Sequence, residues 1–508
     1  AASGGISVRE IAGPMTGVTA YYIRVKVCDQ ASFAETQSTC TLYGSSYKPT
    51  GIMQANSLNM RFGAFAYLFD SDTYRDGGVL RARMKDVGPL KAVPQRPSVT
   101  NAASEWNASD GTYINNPDSA DAAATNMLPG ATSGGSGAIN SGVINYLNKF
   151  GRTNGYKTYD TLSEMYAEII KYFKHQGQPS TSPSSPTSTY VNNLNSSMTD
   201  GFPVITRWND PIQYSCQQNF VISIGDANTW NDKNLSGGVS NAQNEPSLPA
   251  DIDPDYNVSA WTNAVGAAEA ALVSRIAAPS GSTTYGNDLA NLRNCCNGTA
   301  FLAGLAYYAH TTDLRADFDN LNGPQTITSF FVDVRESGSW GTSGDPRNQH
   351  WLAAKYGGFK DENKNGVFDA LDTWADPARG TVQGKPVPKN YFAGNQPEKL
   401  VSGLQNAFRD IRAASGAGAG VGVAASNLSQ TTGENGIYQV KFDTRDWSGK
   451  VSGLTISNID QTTGAITLVP VFESGALLAA KGAGSGWDSG RVMVTAVPAI
   501  STCQSERR

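Results

Sequence analysis

The chain has 508 residues, 53 of them glycine, with only 16 % charged side chains and a formal net charge of −5. That length accommodates about three domains and a large core, and the negative balance argues against a nucleic-acid partner, because phosphate recognition needs a basic field. No run of about 18 apolar residues occurs, so no membrane span is expected.

In chain order, Ala1-Ala2-Ser3-Gly4 suits the start of a processed or truncated product. Residues 21–28 alternate apolar and polar side chains over a strand length, and 60–69 (MRFGAFAYLF) form a second, more apolar strand. Between 95 and 142, Asn, Asp, Ser, Gly and Ala dominate, which predicts a long surface excursion. A helix follows, with Leu162, Met165, Tyr166, Ile169, Ile170 and Phe173 on one face and Thr161 with Glu164 as a capping box. Residues 178–199, rich in Pro, Ser, Thr and Asn, read as a flexible insertion. The apolar run 219–224 (NFVISI), ended by Gly225 and Asp226, has the composition of a buried parallel strand.

Helices are predicted over 261–276 and 299–310, a buried strand over 326–334, a short helix over 350–356 and a strand over 390–393. The helix over 397–411 carries Pro397 in its first turn and Leu400, Val401, Leu404, Ala407, Phe408 and Ile411 as its core stripe. Strands alternating with helices predict a doubly wound α/β sheet covered on both faces. Beyond 414 the character changes. Residues 415–426 (SGAGAGVGVAAS) read as a linker or thin strand rather than a dinucleotide loop, since no strong strand feeds the glycines and no helix follows. Short strands at 437–442, 454–459, 465–472 and 491–496 form a small separate β region.

Within the α/β part, residues 361–372 space oxygen-bearing side chains as a calcium loop does. Asp361, Asn363, Asn365, Asp369 and Asp372 fall at the liganding positions, Gly366 at the sharp turn, and Val367 offers its carbonyl. Gly357 and Gly358 before it, Pro377 after it, and Asp372 in place of a longer glutamate predict an isolated structural loop, not a helix–loop–helix sensor. The six cysteines, Cys28, Cys40, Cys216, Cys295, Cys296 and Cys503, are not in zinc-site spacing. A bridge between Cys28 and Cys40 closes a short polar loop with little strain. Adjacent Cys295 and Cys296 do not readily bond each other, so at least one is expected to reach Cys216 or Cys503. Oxidised cysteines place the protein outside the cytoplasm. His175, His310 and His350 stand in no HExxH or triad context, and G-x-S-x-G is absent. No enzyme is expected; the alternative is a secreted, calcium-stabilised hydrolase on the same scaffold, requiring paired acids, or an acid and a histidine, with shifted pKa values.

Several longer phrases carry a resemblance. They are RVKVCD (24–29), MRFGAFAYLFD (60–70), RDGGVLRARMKDVG (75–88), GVINYLNKFGRTNGYKTYDTLSEMY (142–166), DPIQYSCQQNFVISIGDANTWNDKN (210–234), LAGLAYYAHTTDLR (302–315) and YGGFKDENKNGVFDALDTWAD (356–376). Together they resemble the PilY/PilC family of type IV pilus tip-associated adhesins and assembly factors of Gram-negative bacteria, over most of residues 20–460. The resemblance implies a von Willebrand A-like domain, here 1–414 with insertions near 95–142 and 178–199. Residues 415–508 would then approach a β-propeller, with DTRDWSGKVSG (443–453) similar to its beginning; a full propeller would not fit in what remains of the chain.

The resemblance further implies export through the periplasm to the pilus tip at the cell surface, and roles in pilus extension, adhesion and twitching. Minor pilins or pilin-like proteins, and a host or abiotic surface, are the implied partners. Von Willebrand A domains commonly hold a metal on a DxSxS loop after a central strand, with a later Thr and Asp. Asp226 stands at the place of that late Asp, but DxSxS and its strand are missing. A missing upstream segment or a strand-donating partner is expected to fill the gap, because a sheet without its middle strand exposes unpaired amides.

Overall fold

The computed structural model describes residues 28, 40–69, 77–93, 96–128, 137–150, 157, 159–177, 194–215, 217–235, 237, 257–272, 289–292, 296–316, 321, 323–334, 348–382, 385–394, 397–415, 420–423, 436–443, 448–459 and 466–473. They fall into two units, 1–51 with 108–111, and 52–107 with 112–508. In the first unit, strands β1 (Cys40–Tyr43) and β2 (Ser46–Pro49) pair as an antiparallel hairpin. A disulfide joins Cys28 to Cys40 with their Cα atoms 6.2 Å apart, as the sequence predicted.

The second unit opens with a helical turn at Ile52–Ala55, followed by the antiparallel pair β3 (Phe62–Ala66) and β4 (Val79–Lys85), then the pair β5 (Leu90–Val93) and β6 (Arg96–Thr100). Helices α1 (Ser119–Asn126), α2 (Val143–Lys149) and α3 (Leu162–Phe173) follow. The centre is a parallel sheet of β7 (Asn219–Gly225), β8 (Ile327–Asp333) and, further on, Tyr391–Ala393. Between these strands come α4 (Val258–Leu272), α5 (Phe301–Thr311), α6 (Gln349–Tyr356) and a minimal hairpin of β9 (Thr381–Val382) and β10 (Lys385–Pro386). Tyr391–Ala393 is β11, and the sheet order is β11-β8-β7. Helix α7 (Pro397–Ser415) comes next. A four-stranded antiparallel sheet in chain order then forms from β12 (Gly420–Val423), β13 (Gly436–Asp443), β14 (Ser448–Ile459) and β15 (Ile466–Glu473). Among the described residues no sheet closes into a barrel.

Alternate residues of the parallel strands serve two cores, because successive strand side chains point to opposite faces. Val221, Ile327, Phe331 and Tyr391 meet Leu162, Tyr166 and Ile170 of α3, Leu302 and Leu305 of α5, and Trp351 of α6. On the other face Phe330, Val332 and Phe392 pack on Ala407 and Ile411 of α7, with Met60, Phe220, Ile222 and Leu404 at the margin. Burying each large apolar side chain contributes about 1.5–3 kcal/mol, so the layered α/β arrangement follows from these two stripes. Where α4 crosses α5, Gly304 permits the approach: a Cβ there would stand 2.3 Å from Thr262 Oγ1.

Several expectations are corrected. Residues 95–142 are not merely a surface excursion: β6 and α1 form there, and the buried Glu105 carboxylate accepts from the N–H groups of Val143 and Ile144, capping α2. The Thr161/Glu164 capping box is not made, since the Thr161 side chain forms no cap bond. Asp232, 69 residues downstream of Ser163, supplies the cap instead, accepting from Ser163 N and Oγ and from Glu164 N. The end of the 178–199 insertion is ordered, with a helical turn at Ser196–Thr199 and with Leu194 and Met198 in a small core. Thin strand β12 settles the linker-or-strand alternative for part of 415–426. Residues 21–27 and 491–496 lie outside the described residues.

Candidate functional site

Residues 361–372 leave α6 and are closed by a bridge in which Lys360 N donates to Thr373 O and Thr373 N to Lys360 O. Asp361 accepts from Asn365 N at 3.2 Å and Gly366 N at 2.8 Å, so the first carboxylate wraps the turn. Gly366 has φ +77° and Lys364 φ +56°, the left-handed conformations that a tight reversal demands and that glycine adopts without strain. Asn363 Nδ2 and Asn365 Nδ2 both donate to Asp369 Oδ2, at 2.7 and 2.9 Å. Hydrogen bonds from Leu371 N–H and from these amides hold the Asp369 carboxyl below its ordinary pKa, which keeps it ionised. Asp372 is turned to the backbone, accepting from Glu362 N and Asp369 N.

The chain thus brings Asp361, Asn363, Asn365 and Asp369 together and sets Asp372 as the clasp. Among the described residues no three His, Cys, Asp or Glu side chains stand together as a metal-holding group. A cation here would draw on amide oxygens, and the two asparagines fit that role because rotating each amide exchanges its NH2 for its oxygen. Hard divalent ions take this mixture of carboxylate, amide and backbone oxygens.

Phe368 anchors the loop. Its ring lies 4.6 Å from Tyr356 and 5.1 Å from Phe359, and its N–H faces the Tyr307 hydroxyl. Beneath it Lys355, 4 % exposed, bonds the Glu269 carboxylate and stands 4.3 Å from the Trp374 ring centroid. His310 bonds Phe359 O at 2.8 Å through Nε2, and burial lowers its pKa, so it is a structural tie. Exposed His175 faces Asp210 at 3.3 Å.

A second polar group, of which the sequence singles out only Asp226 and His350, sits at the carboxyl ends of β7 and β8. Burial and the nearby Asp226 and Asp232 push the Asp160 carboxyl up to about 8, and burial pushes Asp232 to about 6. Asp160 accepts from Trp230 N, while Asp333 accepts from Asn348 Nδ2 and the Tyr391 hydroxyl. His350, placed from the sequence in a polar segment, is 0 % exposed, and burial keeps it neutral between Asp333 and Asp226. Only the fold collects these groups, which come from four separate stretches of chain. Of the remaining predicted cysteines, Cys296 is disulfide-bonded, and Cys216, Cys295 and Cys503 lie outside the described residues. Among the described residues no helix is long and apolar enough to cross a membrane.

Fold and site define a disulfide-bearing, mixed α/β protein built on a short parallel sheet, with an oxygen-rich loop pinned beside it. Residues 71–309 match the family model described as "PilY1 homolog, second domain", which bears out the PilY/PilC resemblance expected from the sequence phrases. The chain is 36 % identical over 471 residues to the type IV pilus biogenesis factor PilY1 homolog of Xylella fastidiosa (strain Temecula1 / ATCC 700964), an alignment covering 89 % of this chain. The chain spans about a third of that relative's length, 36 %. No solved structure matches.

Proposed function

We propose that the chain is a non-enzymatic part of the type IV pilus machinery, exported through the periplasm and exposed at the pilus tip, where it supports assembly, surface adhesion and twitching. The observation that carries this reading is the identity to a pilus biogenesis factor across nearly the whole chain. A scaffold of von Willebrand A type is supported by three parallel strands in the order β11-β8-β7 with helices on both faces. Minor pilins or pilin-like proteins are the partners, with one donating a strand or an upstream segment filling the sheet, and a host or abiotic surface is the target. Deleting the gene is expected to abolish surface pili and twitching, and the chain is expected in sheared pilus fractions. Unchanged piliation in the deletion strain would overturn the proposal.

Calcium at Asp361, Asn363, Asn365, Val367, Asp369 and Asp372 is the stabilising cofactor in this reading. Ligand linkage contributes about 1.4 kcal/mol at calcium tenfold above Kd, so chelation is expected to lower the melting temperature of the wild-type chain, and Asp361→Ala to melt at one temperature with or without calcium. A calcium titration by calorimetry that shows no heat at millimolar concentration would remove the cofactor, since extracellular sites bind at about 0.1–1 mM.

One observation favours the hydrolase alternative: Asp160 and Asp232 are paired acids with raised pKa values. Both carboxylates, however, are engaged with backbone, Asp232 capping α3 and Asp160 holding Trp230 N, which suits a structural role.

A further inference from the structure

Asn–Gly pairs stand at 154–155, 297–298, 322–323, 365–366 and 435–436, and the described residues include 297–298 and 365–366 whole. Such a pair can cyclise, because the glycine peptide nitrogen attacks the asparagine carboxamide and glycine has no Cβ to obstruct the approach. Three conditions decide whether a given pair reacts. The glycine needs open surroundings, the carboxamide must fold back over the next peptide, and a base must take the proton that the nitrogen loses.

At 365–366 all three conditions are met. Asn365 and Gly366 are exposed, and a Cβ on Gly366 would meet nothing within 4 Å. Val367 N donates to Asn365 Oδ1 at 2.9 Å, a side-chain turn that curls the carboxamide over the Gly366 peptide and polarises its carbonyl towards attack. Gly366 N donates to Asp361 Oδ2 at 2.8 Å, within reach of a general base. The other pair has different surroundings: Asn297 is half-buried with φ +61°, and Gly298 is buried.

We propose that Asn365 is a self-modifying site, its carboxamide converted to a carboxylate by the loop's own backbone with Asp361 as the base. Gly366 N bonds to Asn365 Cγ while Asp361 takes the proton from that nitrogen. The Cγ–Nδ2 bond then breaks, and Nδ2 leaves as ammonia with the proton passed on from Asp361. A solvent water opens the cyclic imide at either carbonyl, leaving aspartate or isoaspartate at 365. No oxidant or cofactor enters, so the inference stands apart from the calcium reading. Its consequence nevertheless falls on that loop. Aspartate places a carboxylate where the loop now presents a neutral amide, and isoaspartate lengthens the backbone inside the turn.

The test incubates the full chain in chelator at mildly alkaline pH, folded and unfolded in guanidinium, and follows the peptides carrying 365 and 297 by mass spectrometry. Unfolding removes the influence of the fold, so the two pairs are expected to react alike there. In the folded chain Asn365 is expected to gain the acid mass at least about tenfold faster than Asn297, whose surroundings must open first. It should also react no more slowly than in the unfolded chain, and give a second, isoaspartyl peptide of equal mass. Asp361→Asn keeps an acceptor facing Gly366 N but removes the base, and should slow the reaction at 365 by about tenfold or more, leaving 297 unchanged. Asn365→Gln lengthens the side chain by a methylene and disfavours cyclisation, so the mass gain should vanish. Equal rates at the two folded pairs would overturn the proposal, as would a folded rate at 365 below the unfolded one or an Asp361→Asn variant reacting like wild type. Chelator keeps cations out of every arm, so failure here and failure of calcium binding are separately visible.

Discussion

Arg81→Ala is expected to destabilise the larger unit by about 4 kcal/mol or more, the loss to be read from the urea midpoint. Arg81 is 0 % exposed although it sits in β4. Its guanidinium donates to Tyr67 O at 2.8 Å and to Met198 O, Thr199 O and Pro203 O at 3.2–3.3 Å. It therefore ties the residue after β3 to the Ser196–Thr199 turn and to the segment that follows it. The rings of Tyr146 and Phe69 lie 5.5 and 5.9 Å from its Cζ, and the negative faces of aromatic rings favour a cation there. Truncation strands buried carbonyls at about 1–3 kcal/mol each and opens a void. Arg81→Lys keeps the charge but not the planar fork that reaches several carbonyls together, so it should recover only part of the loss. If both variants unfold within about 1 kcal/mol of wild type, this clamp carries no energy of its own.

That residue also marks the limit of what the sequence discloses. The strands at 219–224, 326–334 and 390–393 and the helices at 162–173, 299–310, 350–356 and 397–411 were legible because their apolar periodicity reports burial directly. Arg81 in VLRARMK carries no such signal, since a charged strand residue reads as solvent-facing until the fold wraps carbonyls around it. The cap of α3 was misassigned for a related reason: local spacing offered Thr161 and Glu164, while the tertiary fold delivers Asp232. Glu105 inside the polar 95–142 stretch is the same case. The loop at 361–372 lay in the open because all its oxygens come from one short segment. The acidic group around Asp160 and His350 did not, because it is assembled from distant stretches.

The loop's attachment sets the second large effect. Glu269→Ala should cost about 3–5 kcal/mol, the usual penalty for removing one partner of a buried ion pair and leaving the other charge alone. Glu269 on α4 and Lys355 on α6 are 7 % and 4 % exposed, and the Tyr356 hydroxyl also donates to Glu269 Oε1 at 2.9 Å. Burial and the adjacent carboxylate raise the Tyr356 phenol, so it stays a donor throughout the working pH range. Without Glu269, the Lys355 ammonium keeps only the faces of Trp374, Tyr356 and Phe368, at 4.3, 5.2 and 5.3 Å. Those rings cannot replace a carboxylate at low dielectric. Phe368 belongs to the loop, so the damage should spread there: hydrogen exchange over 361–372 is expected to quicken in Glu269→Ala. Glu269→Met with Lys355→Met, which removes both charges and preserves volume, should restore most of the stability, because an apolar replacement of a buried pair is often neutral. A double variant as unstable as the single one would show that the pair serves packing geometry rather than charge balance.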